Sequence, residues 1–115
     1  MYYYWLGHFY RRSGIDYEAV HPPYGIVVDD LPDDVERVEV EGRVYYYVDG
    51  VFYRPRSGGT YVVVSPPPGA LVSYLPGDAR RFEGPDGEVF VARGAIYVAV
   101  ERDGTTWYLV TGSER

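Results

Sequence analysis

The chain repeats itself, and no other feature of the sequence limits its fold as much. Gly25, Leu31, Pro32, Asp34 and Gly50 recur 44 residues later as Gly69, Leu75, Pro76, Asp78 and Gly94. Between these markers Val38-Glu39 answers to Phe82-Glu83, Phe52-Tyr53 to Ile96-Tyr97 and, after small insertions, Tyr61 to Trp107. The beginning of the chain keeps the same order, with Tyr2-Tyr3-Tyr4, Gly7 and Phe9-Tyr10-Arg11 matching Tyr45-Tyr46-Tyr47, Gly50 and Phe52-Tyr53-Arg54 at an offset of 43. Recurrence at a fixed period marks one supersecondary unit used several times, each copy too small to bury its apolar face alone. The pattern divides the chain into a partial repeat over 1–24, a complete repeat over 25–68 and a divergent repeat over 69–112, expected to form one compact assembly. In the last of these Val89-Phe90-Val91 stands where the others carry three tyrosines, as in a capping unit with a wet outer face.

Within a unit, short β-branched and aromatic runs alternate with turn residues, which predicts strands. Glu36 to Glu41 alternates apolar Val38 and Val40 with charged Arg37, Glu39 and Glu41, the pattern of a strand with one wet face. Val44 to Val48 and Val51 to Arg54 flank Asp49-Gly50, a pair that closes a two-residue hairpin with positive φ at both positions. Thr60 to Ser65 reads as a strand ended by Pro66-Pro67-Pro68-Gly69, because proline donates no ladder hydrogen bond. Tyr61 to Val64 is apolar on both faces and therefore predicts cover from both sides. No segment keeps a 3.6-residue apolar period, so the expected fold class is all-β, with little or no helix. Two architectures fit these strand lengths: tandem small barrels of the SH3-like type, or one continuous β-sandwich.

The 14 Tyr and 14 Gly of the chain support strands and tight turns. A formal net charge of −6 argues against nucleic acid as a partner, since phosphate binding rests on an excess of Lys and Arg. Cysteine is absent, which removes disulfides and thiolate zinc sites. No apolar run approaches the roughly 20 residues of a membrane-spanning helix, and Met1 to Tyr10 reads as an aromatic strand, not a signal peptide.

Pro22-Pro23-Tyr24-Gly25, Leu31-Pro32, Val38 to Val40, Gly42, Tyr45-Tyr46-Tyr47, Gly50, Phe52-Tyr53-Arg54-Pro55 and Tyr61-Val62-Val63-Val64 form a recognisable string. It resembles the repeated unit of an uncharacterised family of Tyr-rich bacterial envelope proteins. The likeness is strongest over residues 17 to 76 and weaker beyond. It implies an envelope or extracellular setting, because members carry export signals. It implies no catalytic residues and no cofactor.

The residues that could carry chemistry are few. His8 and His21 lack a third metal ligand in sequence, and Asp29, Asp30, Asp33 and Asp34 crowd one turn as solvated acids do. Ser13, Ser57, Ser65, Ser73 and Ser113 stand in turns or at strand ends without the base and orienting group that a nucleophile needs. Ser57-Gly58-Gly59 precedes a strand, not the helix N-terminus that would cradle a phosphate. The expectation is a protein that is not an enzyme and holds no metal or cofactor.

Two non-enzymatic roles remain. Tyr45, Tyr46, Tyr47 and Tyr53 form a ladder that is either core or an exposed surface for a cell-wall glycan or an exported protein. The partial repeat offers Tyr2, Tyr3, Tyr4, Trp5, Phe9 and Tyr10 as strand edge without the strands that precede them in a full unit. Unpaired edges template pairing with another chain, so the first expectation is self-association into an oligomer or filament, by strand exchange between copies.

Overall fold

The computed structural model describes the backbone of residues 3–5, 8–13, 16–20 and 22–113, and the side chains of 22–113. Among them are thirteen β-strands and no helix, hence no helix able to cross a membrane. Strands β1 (Tyr3–Trp5), β2 (His8–Ser13) and β3 (Asp16–Val20) make a three-stranded antiparallel sheet in chain order. Strands β4 (Val27–Val28), β5 (Glu36–Val40), β6 (Arg43–Val48), β7 (Val51–Pro55) and β8 (Tyr61–Val64) make a five-stranded sheet in the order β4-β8-β7-β6-β5. Strands β9 (Leu71–Val72), β10 (Arg80–Gly84), β11 (Gly87–Ala92), β12 (Ala95–Arg102) and β13 (Thr105–Ser113) make another, in the order β9-β13-β12-β11-β10. In both, four strands run as an antiparallel meander and the short first strand returns to pair with the last.

Both five-stranded sheets are open, which corrects the expectation of small SH3-like barrels. Closure needs every strand to bond two neighbours around a ring. The first strand of each sheet is only two residues long, and Leu31-Pro32 or Leu75-Pro76 follows within a few residues. The ladder therefore ends before it reaches β5 or β10.

The hairpins follow the turn chemistry. Asp49 and Gly50 have φ of 46° and 93°, as expected for a two-residue connection whose twist matches its strands. Glu41-Gly42, Arg93-Gly94 and Asp103-Gly104 close three further hairpins with the same signs of φ. The register also revises one correspondence. Val28 pairs with Tyr61 and Val72 with Tyr108, so Tyr108, not Trp107, stands where Tyr61 stands. A shift in pairing at Ile96/Tyr97 accounts for part of the displaced count. The rings agree: Tyr46 and Tyr61 meet edge to face at 5.8 Å, and Phe90 and Tyr108 do so at 5.4 Å.

Period-two alternation sorts the first five-stranded sheet onto two cores. Val38, Tyr45, Tyr47 and Phe52, with Val40 and Val64 beside them, pack in one cluster with Ala70, Val72, Ala92, Ala95, Tyr97 and Val110 of the other sheet. Val48, Val51, Tyr53 and Val63 point the opposite way and pack with Val28, Ile26, Leu31 and Val35. This explains why β8 is apolar throughout: Val63 serves one cluster and Val64 the other.

The β6–β7 turn lies against the second sheet so closely that a Cβ at Gly50 would come within 2.5 Å of Arg93 Cγ and 2.9 Å of Pro76 Cγ. At Gly42 the φ is also positive, and nothing lies within 4 Å. Gly42→Ala is therefore expected to cost about 1 kcal/mol, from the backbone alone. Gly50→Ala is expected to cost about 1–3 kcal/mol more, because the overpacked pair must separate. Urea unfolding of the two variants is the check, and equal losses would contradict the close approach of the sheets at Gly50.

Candidate functional site

The tyrosine ladder is mostly interior. Tyr47 and Tyr53 are fully buried and Tyr45 nearly so, while Tyr46 is half-buried beside Tyr61. Three of the four rings expected as a contact surface thus act as core, because β6 and β7 are central strands with apolar neighbours on both faces. Their surroundings are tight. Tyr47 lies 5.0 Å from the Phe52 ring and 5.2 Å from the Tyr74 ring, and the Arg54 guanidinium sits over Tyr45 at 5.3 Å.

Polar contacts ring this aromatic core where the two sheets meet. The Tyr47 hydroxyl donates to the Tyr74 carbonyl at 2.8 Å, and the Asp49 backbone N–H donates to the Tyr74 hydroxyl at 2.7 Å. Ser73 donates from its backbone N–H and its hydroxyl to the Glu36 carboxylate at 3.0–3.3 Å. The Arg93 guanidinium bonds Asp78 at 2.7 Å and lies 3.8 Å from Asp49, and it holds the Asp78 carboxyl below its ordinary range. Burial pushes the Tyr47 and Tyr97 phenols far up, and Tyr47 is raised further by the neighbouring Tyr97 and Tyr74. Tyr74 is also raised, chiefly by burial, against the opposing bond from Asp49. These groups clamp the two sheets together.

The remaining sequence candidates do not converge where they are described. Tyr2 and His21 lie outside the described residues, as do the side chains of Tyr3, Tyr4, Trp5, His8, Phe9 and Tyr10, whose backbones lie in β1 and β2. Asp29, Asp30, Asp33 and Asp34 are all exposed, and among the described residues no three His, Cys, Asp or Glu side chains gather as a metal site. Ser57-Gly58-Gly59 is an exposed loop between β7 and β8. A groove of about 310 Å³ under the β10–β11 turn offers two ionisable groups, Asp86 and Glu88, and Glu88 is already paired with Arg81 at 2.7 Å.

The sequence missed the edge strand β10. All of Arg80, Arg81, Phe82 and Glu83 are exposed, with Phe82 at 47%, whereas Val38 at the matching place on β5 is at 4%. The signal was present as Arg80-Arg81-Phe82-Glu83-Gly84 where the earlier unit has Glu36-Arg37-Val38-Glu39-Val40: a larger apolar side chain whose next apolar neighbour on that face is replaced by glycine.

Buried neutral phenols set the alkaline limit of the fold. The unfolded chain releases tyrosine protons near pH 10, about the unperturbed value, while the folded chain retains those of Tyr47 and Tyr97. Their contribution is complete below about pH 10 and is lost as pH rises above it, at about 1.4 kcal/mol per pH unit for each phenol. Far-ultraviolet dichroism is expected to collapse in this range together with the last rise in tyrosinate absorbance. Full tyrosine ionisation with the sheets intact would contradict the burial.

The comparisons with known proteins give a family and nothing nearer. No curated protein and no solved structure matches the chain. A family profile does match, over residues 1–114, and by that extent the chain belongs to the family described as a family of unknown function, DUF6515.

Proposed function

We propose that this protein is a non-enzymatic structural module of the bacterial cell envelope or extracellular space, built of tandem β-units and acting by self-association. Several features support the tandem reading: the common strand order of the two five-stranded sheets, their like-signed hairpins, and the Tyr46–Tyr61 and Phe90–Tyr108 ring pairs. On this reading the units stack face to face as a continuous sandwich, with the shared cluster of Tyr47, Phe52 and Tyr97 as one joint. The envelope setting rests on the resemblance of the repeated string to exported bacterial proteins.

The observation that carries self-association is the contrast between the two edge strands. β5 is covered in part by the second unit, with Val38 and Val40 packed in one cluster with Ala70 and Val72, whereas β10 has no such cover among the described residues. A bare edge presents unpaired N–H and C=O groups to any second strand. Mass measurement by light scattering over a rising concentration series is expected to show a species larger than the single chain. A constant monomer mass at the highest concentration would end this proposal.

A second reading, a glycan- or protein-binding module, draws on Tyr46 together with Tyr24 and Tyr74, which are 51% and 39% exposed. On that reading Tyr46→Ala weakens retention on wall polymer without unfolding the chain. No retention by the parent protein would dismiss it.

A further inference from the structure

We propose that β10 is the self-association site, pairing antiparallel with β10 of a second copy across a two-fold axis through Phe82. The inference deepens the self-association reading and rests on it. Strand β10 ends its sheet, so one side of its backbone is bonded to β11 and the other has no strand partner among the described residues. Joining two such edges would extend two five-stranded sheets into a single continuous one.

The side chains fit that axis. With Phe82 opposite its own copy, Arg81 stands opposite Glu83 of the second chain, and Glu83 opposite its Arg81. Opposite charges directly across an antiparallel pair attract, and aromatic side chains facing each other add to the pairing. Arg80 falls opposite Gly84, whose missing side chain leaves its guanidinium room to stay over the Phe82 ring, where it lies at 5.5 Å. The isolated chain also leaves a charge for this partner to meet. Glu83 sits directly across from Glu88 on β11, a like-charge pair, and Arg81 bonds Glu88, leaving Glu83 without a cation among the described residues. The Arg81 of a second copy would supply one.

Register is equally constrained. The smallest shift that a two-fold axis perpendicular to the sheet allows moves it by one residue and places Arg81 on Arg81 or Glu83 on Glu83, and both oppose like charges. Edge strands that avoid association do so with charges that repel any approaching copy. This one carries an ordering of charges that its own copy satisfies, and the resulting contact is isologous. It closes at a dimer and does not propagate.

Charge exchange tests the pairing. Both residues are exposed, so Arg81→Glu and Glu83→Arg leave the fold intact by dichroism. Each single variant opposes like charges in two places, and its dimer dissociation constant in sedimentation equilibrium is expected to rise about tenfold or more. Mixing the two single variants in equal amounts restores a dimer, now of one chain of each kind, and the double variant Arg81→Glu/Glu83→Arg dimerises like the parent. Single variants that dimerise as the parent does would overturn the assignment to β10 while leaving self-association standing. Singles that lose the dimer without rescue by mixing or by the double exchange would overturn the pairing scheme. A parent chain that stays monomeric throughout would overturn both this inference and the reading beneath it.

Discussion

The structure depends on one apolar joint, in which large rings of the first five-stranded sheet settle on small residues of the second. Tyr47 and Phe52 are almost completely buried, and Ala70, Ala92 and Ala95 give them the space. Large side chains buried in this way contribute roughly 1.5–3 kcal/mol each. The polar groups at the rim then have defined partners: the phenol of Tyr47 on the Tyr74 carbonyl, the Tyr74 hydroxyl on Asp49, and Glu36 on Ser73. Without the rings in place these bonds would lie in water and contribute little.

That joint also explains the strained-looking turn beside it. Asp49-Gly50 must bend with positive φ to keep the strand twist, and Gly50 must lack a side chain because Pro76 and Arg93 lie against it. One glycine therefore satisfies a local rule and a long-range one. The same joint covers part of β5, whereas β10, at the equivalent edge of the other sheet, has no such cover among the described residues. An exposed phenylalanine, and a glutamate with no cation partner among the described residues, are the features on which the proposed function turns.

Much of the fold was legible in the chain itself. The all-β class, the hairpin at Asp49-Gly50 and the two-sided burial of Tyr61 to Val64 were all readable, because side-chain period and turn chemistry are local properties. The barrels were not, since closure depends on whether a strand as short as Val27–Val28 can reach across to β5. The tyrosine ladder stood between core and surface for a similar reason. A strand rich in tyrosine has the same pattern whether a second sheet covers it or water does.

The sequence by itself determined the all-β class, the places of the central strands and the positions where φ had to be positive, because each follows from neighbouring residues and steric rules. Only the tertiary structure decided which faces met. It placed Tyr45, Tyr47 and Tyr53 inside, left Phe82 outside, and set Tyr108 in the place that matching with small insertions gave to Trp107. The reason is physical: burial and pairing belong to pairs of distant segments, and each depends on what the opposite surface offers as much as on the residue concerned.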